Sequence, residues 1–194
     1  MGACTSSNSK SNNKVRSRGE GSKQKGNKNQ KIQNVDLSSS HQAEEGDKEF
    51  DKRVDILKRG NKKELKNMID NFNDDINEYT FGQNKTLLLE ACIVCPNPDV
   101  IDMIMEKGAD IDKEEYQTHN TAIFFSAVDL KVDFVKNLLK YHPNLQHINK
   151  AKQNIFEFLN YELFEKRKNL GRVMTEKEKK KYQVIEEMLR EKEG

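Results

Sequence analysis

Thr86-Leu87-Leu88-Leu89-Glu90-Ala91-Cys92 is answered 35 residues later by Thr121-Ala122-Ile123-Phe124-Phe125-Ser126-Ala127. Each stretch opens on a threonine and runs on in apolar and small residues. Each is followed by a second apolar cluster. In the first copy it is Val100-Ile101 and Met103-Ile104-Met105, ending on Glu106-Lys107-Gly108-Ala109-Asp110-Ile111-Asp112. In the second it is Phe134-Val135 and Leu138-Leu139, ending on His142-Pro143-Asn144-Leu145. The apolar residues recur at helical spacing, and self-similarity at a fixed period marks a repeat architecture. Asn97 suits the cap of the second helix, Pro98 its first position and Gly108 the residue just past its end. Each unit therefore reads as a short helix, a turn, a second helix and an extended loop.

A first copy is visible upstream, where Gly60-Asn61-Lys62-Lys63-Glu64-Leu65-Lys66-Asn67-Met68-Ile69 matches the turn and second helix, and Asp74-Asp75-Ile76-Asn77 the ending. Asn61 and Glu64 have capping-box spacing. A fourth copy opens at Asn154-Ile155-Phe156-Glu157-Phe158-Leu159 with the same relation between Asn154 and Glu157. It then departs from the pattern. Its first helix is predicted to run to Lys168, an insertion ends at Gly171, and a last helix starts at Thr175 with Tyr182, Ile185, Met188 and Leu189 on one face.

This pattern resembles the ankyrin repeat, whose consensus runs Thr-Pro-Leu-His, small residues, a turn, a Val/Leu-rich helix and Gly-Ala-Asp-Val-Asn. Residues 106–112 match the ending closely. In the opening motif, Pro is replaced by Leu87, Ala122 and Ile155, and His by Leu89, Phe124 and Glu157. The resemblance implies an all-α fold: an ankyrin-repeat solenoid over residues 47–194, with repeats at about 47–80, 81–115, 116–148 and a divergent 149–192. An irregular helical array of another repeat type is the alternative. The resemblance also implies a free concave surface of loop tips and inner helices. By position, its partner-binding candidates are Gln83, Lys85, Ile93 and Val94, then Gln117, Thr118, Asn120, Val128 and Asp129, then Lys150, Gln153, Tyr161 and Glu162. Ile93, Val94 and Val128 would supply an apolar centre with a polar rim, or else pack within the stack.

The rest of the 194 residues differ in kind. Only 34% of the chain is hydrophobic, and residues 1–50 hold nine of those residues. Residues 1–35 carry eight bases (Lys10, Lys14, Arg16, Arg18, Lys23, Lys25, Lys28, Lys31) against Glu20 alone, a charge of +7 hidden within a net +2. The remainder of that tail is Ser, Asn, Gly and Gln, a composition that cannot bury enough apolar surface to fold, so residues 1–46 are predicted to be disordered. Met1-Gly2-Ala3-Cys4-Thr5-Ser6 fits the N-myristoylation pattern. Gly2 is required because removal of Met1 must expose an unhindered amine, and Cys4 stands where a membrane-visiting thiol would be palmitoylated. One myristoyl chain binds bilayers with a constant of only about 10⁴ M⁻¹, so the second chain and the bases would convert contact into residence. No stretch of 18 apolar residues exists and the first residues lack an apolar run, so neither a membrane-spanning helix nor a secretory signal is expected.

Chemistry is sparse. Cys92-Ile93-Val94-Cys95 has no second pair to complete a zinc site, and Cys92 falls at a small core position. His119, His142 and His147 occupy loop or turn positions without a nucleophile beside them. Phe156, Phe158 and Phe164 read as core, and Lys177, Lys179, Lys180 and Lys181 as a solvated helix face. No enzyme activity, cofactor, metal or small-molecule substrate is expected. The expectation is a lipid-anchored ankyrin-repeat adaptor or scaffold on the cytoplasmic face of a membrane, plasma or ciliary, holding one protein partner. The alternative is a soluble regulatory or assembly subunit, cytoplasmic if unacylated, whose basic tail binds nucleic acid or an acidic protein. No aromatics interleave with the tail's bases, which disfavours nucleic acid.

Overall fold

The structure is a computed structural model that describes residue 49 and residues 51–79 and 84–193. Gly2, Cys4, the eight tail bases and Gln83 lie outside the described residues. Among the described residues every regular element is a helix. In chain order the α-helices are α1 (51–59), α2 (Lys62–Asp70), α3 (Leu87–Val94), α4 (Asp99–Met105), α5 (Ala122–Val128), α6 (Val132–Leu138), α7 (Ile155–Asn160), α8 (Lys166–Asn169) and α9 (Glu176–Glu193), with a 3-10 turn, Leu139–Tyr141, after α6. No helix among them is long and apolar enough to cross a membrane.

Local chemistry starts these helices. Asn61 Oδ1 accepts the Lys63 and Glu64 amides at the head of α2. Glu64 does not complete the box: its carboxylate turns to Arg59 Nε at 2.9 Å. Thr86 Oγ1 accepts the Leu89 amide for α3, and Asn97 Oδ1 the Asp99 amide for α4. Before α7 the box is complete, with Asn154 and Glu157 bonded reciprocally. α3 is buried at six successive positions, Leu87 to Cys92. A helix buried all round must have neighbours on every side.

Those neighbours form two rows. α3 packs on α5 and α5 on α7, while α2 packs on α4, α4 on α6 and α6 on α9. Within a unit, α3 meets α4 and α5 meets α6. Leu65, Ile69, Ile101, Ile104, Val135, Leu138, Ile185 and Leu189 line the second row, each at most 1% exposed. The period is written in the backbone too. Asn84, His119 and Lys152 all take left-handed φ values of 52°, 58° and 63°, two residues before a helix cap. Gly108 and His142, 34 residues apart, take φ of 85° and 52° past the second helix of their units.

The last unit is longer. α7 continues through a π-helical turn, Tyr161–Glu165, into α8, so the helical run reaches Asn169, one residue past the predicted end. Gly171 (φ 66°) ends it. Thr175 and Glu178 form a second reciprocal cap, and α9 follows with Ile185 and Leu189 buried.

Candidate functional site

The loops before the first-row helices are built to a common plan. Glu115 donates its amide to Asn120 O and accepts the His119 amide on its own carbonyl; Asn149 repeats both bonds with Gln153 and Lys152. Side chains brace each loop from within. Glu115 Oε2 accepts the Thr118 amide at 2.7 Å and its hydroxyl at 2.6 Å, and Asn149 Oδ1 accepts the Gln153 amide at 3.0 Å. Burial pushes the Glu115 carboxyl upward, but the Thr118 bonds outweigh it, and the group sits below the ordinary range. Adjacent loops are tied tip to tip: Tyr116 N donates to Asn84 O at 3.3 Å and Lys150 N to Thr118 O at 3.0 Å.

On this braced edge two tyrosines stand out. Tyr116 is 66% exposed and Tyr79 40%, and their rings meet edge to face at 6.3 Å between centroids. Tyr79 Oη donates to Glu114 O at 3.0 Å, and Lys113 Nζ lies 5.3 Å from the Tyr79 ring. Glu114 also gathers two histidines: Oε2 lies 2.9 Å from His119 Nδ1 and Oε1 3.8 Å from His147 Nδ1. His147 Nε2 donates to His119 O at 2.7 Å. In the next loop Ile148, just before Asn149, is also exposed. The result is an exposed aromatic pair with polar flanks, a make-up that suits contact with a protein. Tyrosine suits it because a rigid amphipathic ring gains contact area at small entropic cost.

The predicted partner-binding residues divide into several groups. Gln117, Thr118 and Lys150 are exposed on this edge. Asn120 is not: it is buried, because its Oδ1 accepts Asn149 Nδ2 at 3.0 Å between neighbouring loops. Lys85 and Gln153 are half-buried at the matching positions of their loops. Val94 and Val128 are half-buried against the core, and Ile93 is half-buried with its carbonyl taken by Lys131 Nζ at 2.6 Å. Val128, Asp129 and Glu162 instead line a cleft of about 570 Å³ with Lys166, Arg167 and Arg172. Burial raises the Asp129 carboxyl there. Tyr161 is exposed, and Glu162 holds Lys166 Nζ at 2.7 Å.

Tyr79 and Tyr116 were not singled out from sequence. Both fall in the loops, outside the apolar clusters that carry the period, and their only signal was an aromatic residue where turn residues dominate. Cys92 and Cys95 are free and buried, and burial pushes the Cys92 thiol up to about 12. Phe156 and Phe158 pack against the core, but Phe164 is exposed. Among the described residues no cluster of His, Cys, Asp and Glu could hold a metal ion. Compared with known proteins, the sequence matches no family model and no curated protein.

Proposed function

We propose that this chain is an ankyrin-repeat adaptor that binds a protein partner along its loop edge and is held at a membrane by its N-terminus. The observation that carries the reading is the braced edge itself. Loops tied tip to tip display Tyr79, Tyr116 and Ile148 on a scaffold whose regular backbone leaves little to reorganise on binding. The two rows of helices and the recurrence of left-handed residues at a 33–35-residue step support the ankyrin assignment, as does the ending at 106–112. Gly2, Cys4 and the +7 tail support the anchor.

Two measurements test the halves separately. The N-terminal peptide from cells should be heavier by a myristoyl and a palmitoyl group. Gly2→Ala should release the chain from membranes, and Cys4→Ser should leave weak, salt-sensitive association. An unmodified peptide would remove the anchor. For the partner surface, proximity labelling in cells should give a neighbour set that Tyr79→Ala/Tyr116→Ala depletes while membrane fractionation is unchanged. An unchanged neighbour set would remove the tyrosine edge from the reading.

A further inference from the structure

The turn between α8 and α9 displays aliphatic side chains that nothing in the fold uses. Val173 is 86% exposed and Leu170 64%, the two highest values among the large aliphatic side chains of the described residues. The turn is tightly tied. Leu170 N donates to Lys166 O and Arg167 O, Gly171 N to Lys168 O, and Arg172 N to Arg167 O at 2.8 Å. Met174, next in the chain, is only 6% exposed, which pins the turn and directs its neighbour outward.

The surrounding charge is as distinctive. Residues 165–181 hold eight bases and three acids. Three of the bases are ion-paired: Lys166 with Glu162, Arg167 with Glu178 and Lys179 with Glu176. Those bonds also occupy Glu176 and Glu178. Lys168, Arg172, Lys177, Lys180 and Lys181 have no ion-pair partner among the described residues. On the earlier units Arg53, Arg59, Lys62, Lys107 and Lys140 are ion-paired and Lys58, Lys63 and Lys66 are not, so the turn is set apart by how densely its bases follow one another in the chain.

We propose that this turn is a docking site for an anionic bilayer surface, with Val173 and Leu170 entering the interface and the free bases lying among the headgroups. Exposed aliphatics at a fixed turn, flanked along the chain on both sides by long basic side chains, match the two demands of an interfacial site: apolar area to bury and cations at headgroup depth. A protein partner would instead call for a patch with aromatic anchors in its centre. The proposal deepens the membrane-anchored reading and rests on it for a bilayer within reach. It would give the stack a second point of contact, and so a fixed orientation.

The chain contains no tryptophan, so Val173→Trp creates a single reporter at a site where the side chain touches almost nothing. The full chain carrying Gly2→Ala is mixed with vesicles of phosphatidylcholine alone or with phosphatidylserine added. Ile148→Trp, at an exposed site on the loop edge, serves as the control. On anionic vesicles the reporter at 173 should shift to the blue and be quenched by brominated acyl chains, and the reporter at 148 should not respond. Adding Lys168→Gln, Arg172→Gln, Lys177→Gln and Lys181→Gln should weaken that response by at least about tenfold, since each base near the surface is worth up to about 1 kcal/mol. An unshifted reporter at 173 on vesicles that bind the chain through its tail would overturn the proposal. Equal shifts on uncharged vesicles, or no vesicle binding at all, would do the same. None of these outcomes depends on acylation of Gly2, which the N-terminal mass tests by itself.

Discussion

Between the α3–α4 and α5–α6 units, polar bonds join the two at every level. Lys131 Nζ donates to Cys92 O at 2.7 Å and Ile93 O at 2.6 Å, closing the end of α3. Asn137 Nδ2 donates to Pro98 O, Tyr141 Oη and Lys140 Nζ reach Asp102, and Asn144 N donates to Asp112 Oδ1. Between α5–α6 and the last unit, the second row has no such set among the described residues. There Ile185 and Leu189 of α9 meet the α6 face through apolar packing, and polar bonds are confined to the loops and to Gln146 with Glu193. Polar bonds fix register where a unit has a neighbour on both sides. The closing unit contributes mainly burial. Burial tolerates a longer and less regular shape, which is why α9 can be 18 residues long where α4 and α6 have seven.

The largest test of that contrast removes the last unit. A chain ending at Asn149 uncovers the faces that Ile155, Leu159, Leu163, Ile185 and Leu189 now bury. Fully burying such side chains is worth about 1.5–3 kcal/mol each, so the total approaches the 5–15 kcal/mol of a whole domain. Calorimetry of the truncated chain should show a much lower Tm or aggregation. An unchanged Tm would make the last unit an appendage.

Next in size is a pair of glycine substitutions. Gly60 and Gly108 both have positive φ, so alanine costs about 1–2 kcal/mol at either site. At Gly60 the new Cβ would also meet the Pro96 ring at 2.6 Å, whereas at Gly108 nothing lies within 4 Å. Gly60→Ala should therefore lose about 1–3 kcal/mol more than Gly108→Ala in urea unfolding. Equal losses would show that the turn at Cys95-Pro96-Asn97-Pro98 does not lean on the first unit.

Lys131→Met keeps the stem of the side chain but leaves two carbonyls at the end of α3 without their donor. A loss of about 1–3 kcal/mol is expected, with slow-exchanging amides of α3 and α5 affected first. A neutral result would mean that packing alone sets the register of the middle units.

The smallest effect tests a polar device within the closing unit. Glu178 accepts the Thr175 amide and hydroxyl and Arg167 Nη1, and these bonds hold its carboxyl down to about 2, first through the backbone bond. A depressed carboxyl stabilises the fold above its unfolded value, and that contribution fades as pH falls toward about 2. Glu178→Gln should lower Tm slightly at neutral pH, and the difference should close between about pH 4.5 and 2. A difference that persists at pH 2 would assign it to packing instead.

What could be read ahead of the structure was local. Asn61, Asn97 and Asn154 with Glu157 all bond within three residues of themselves, so spacing reveals them. The unit-to-unit bonds span 29–47 residues, and some pair a side chain with a backbone carbonyl, which carries no sequence signature. Asn120 shows the cost: a polar loop residue reads as exposed until its Asn149 partner is placed beside it. The buried stripe of α9 was visible as Ile185 and Leu189, but Leu170 and Val173 could not be told from core residues, because exposure depends on what fails to arrive. Gln83, Gly2, Cys4 and the tail bases lie beyond what the structure describes.

The two buried thiols make the stack its own stopwatch. Cys92 is sealed between α3 and its neighbours, Cys95 closes the end of the same helix, and both side chains are fully covered. At neutral pH the raised thiol of Cys92 supplies almost no thiolate, so an alkylating reagent must wait for α3 to open. In a Cys4→Ser background, the labelling rate of Cys92 and Cys95 then counts openings at the centre of the molecule, site by site and without a denaturant. Comparing that rate with and without a bound partner would show whether occupation of the loop edge quiets the helices behind it.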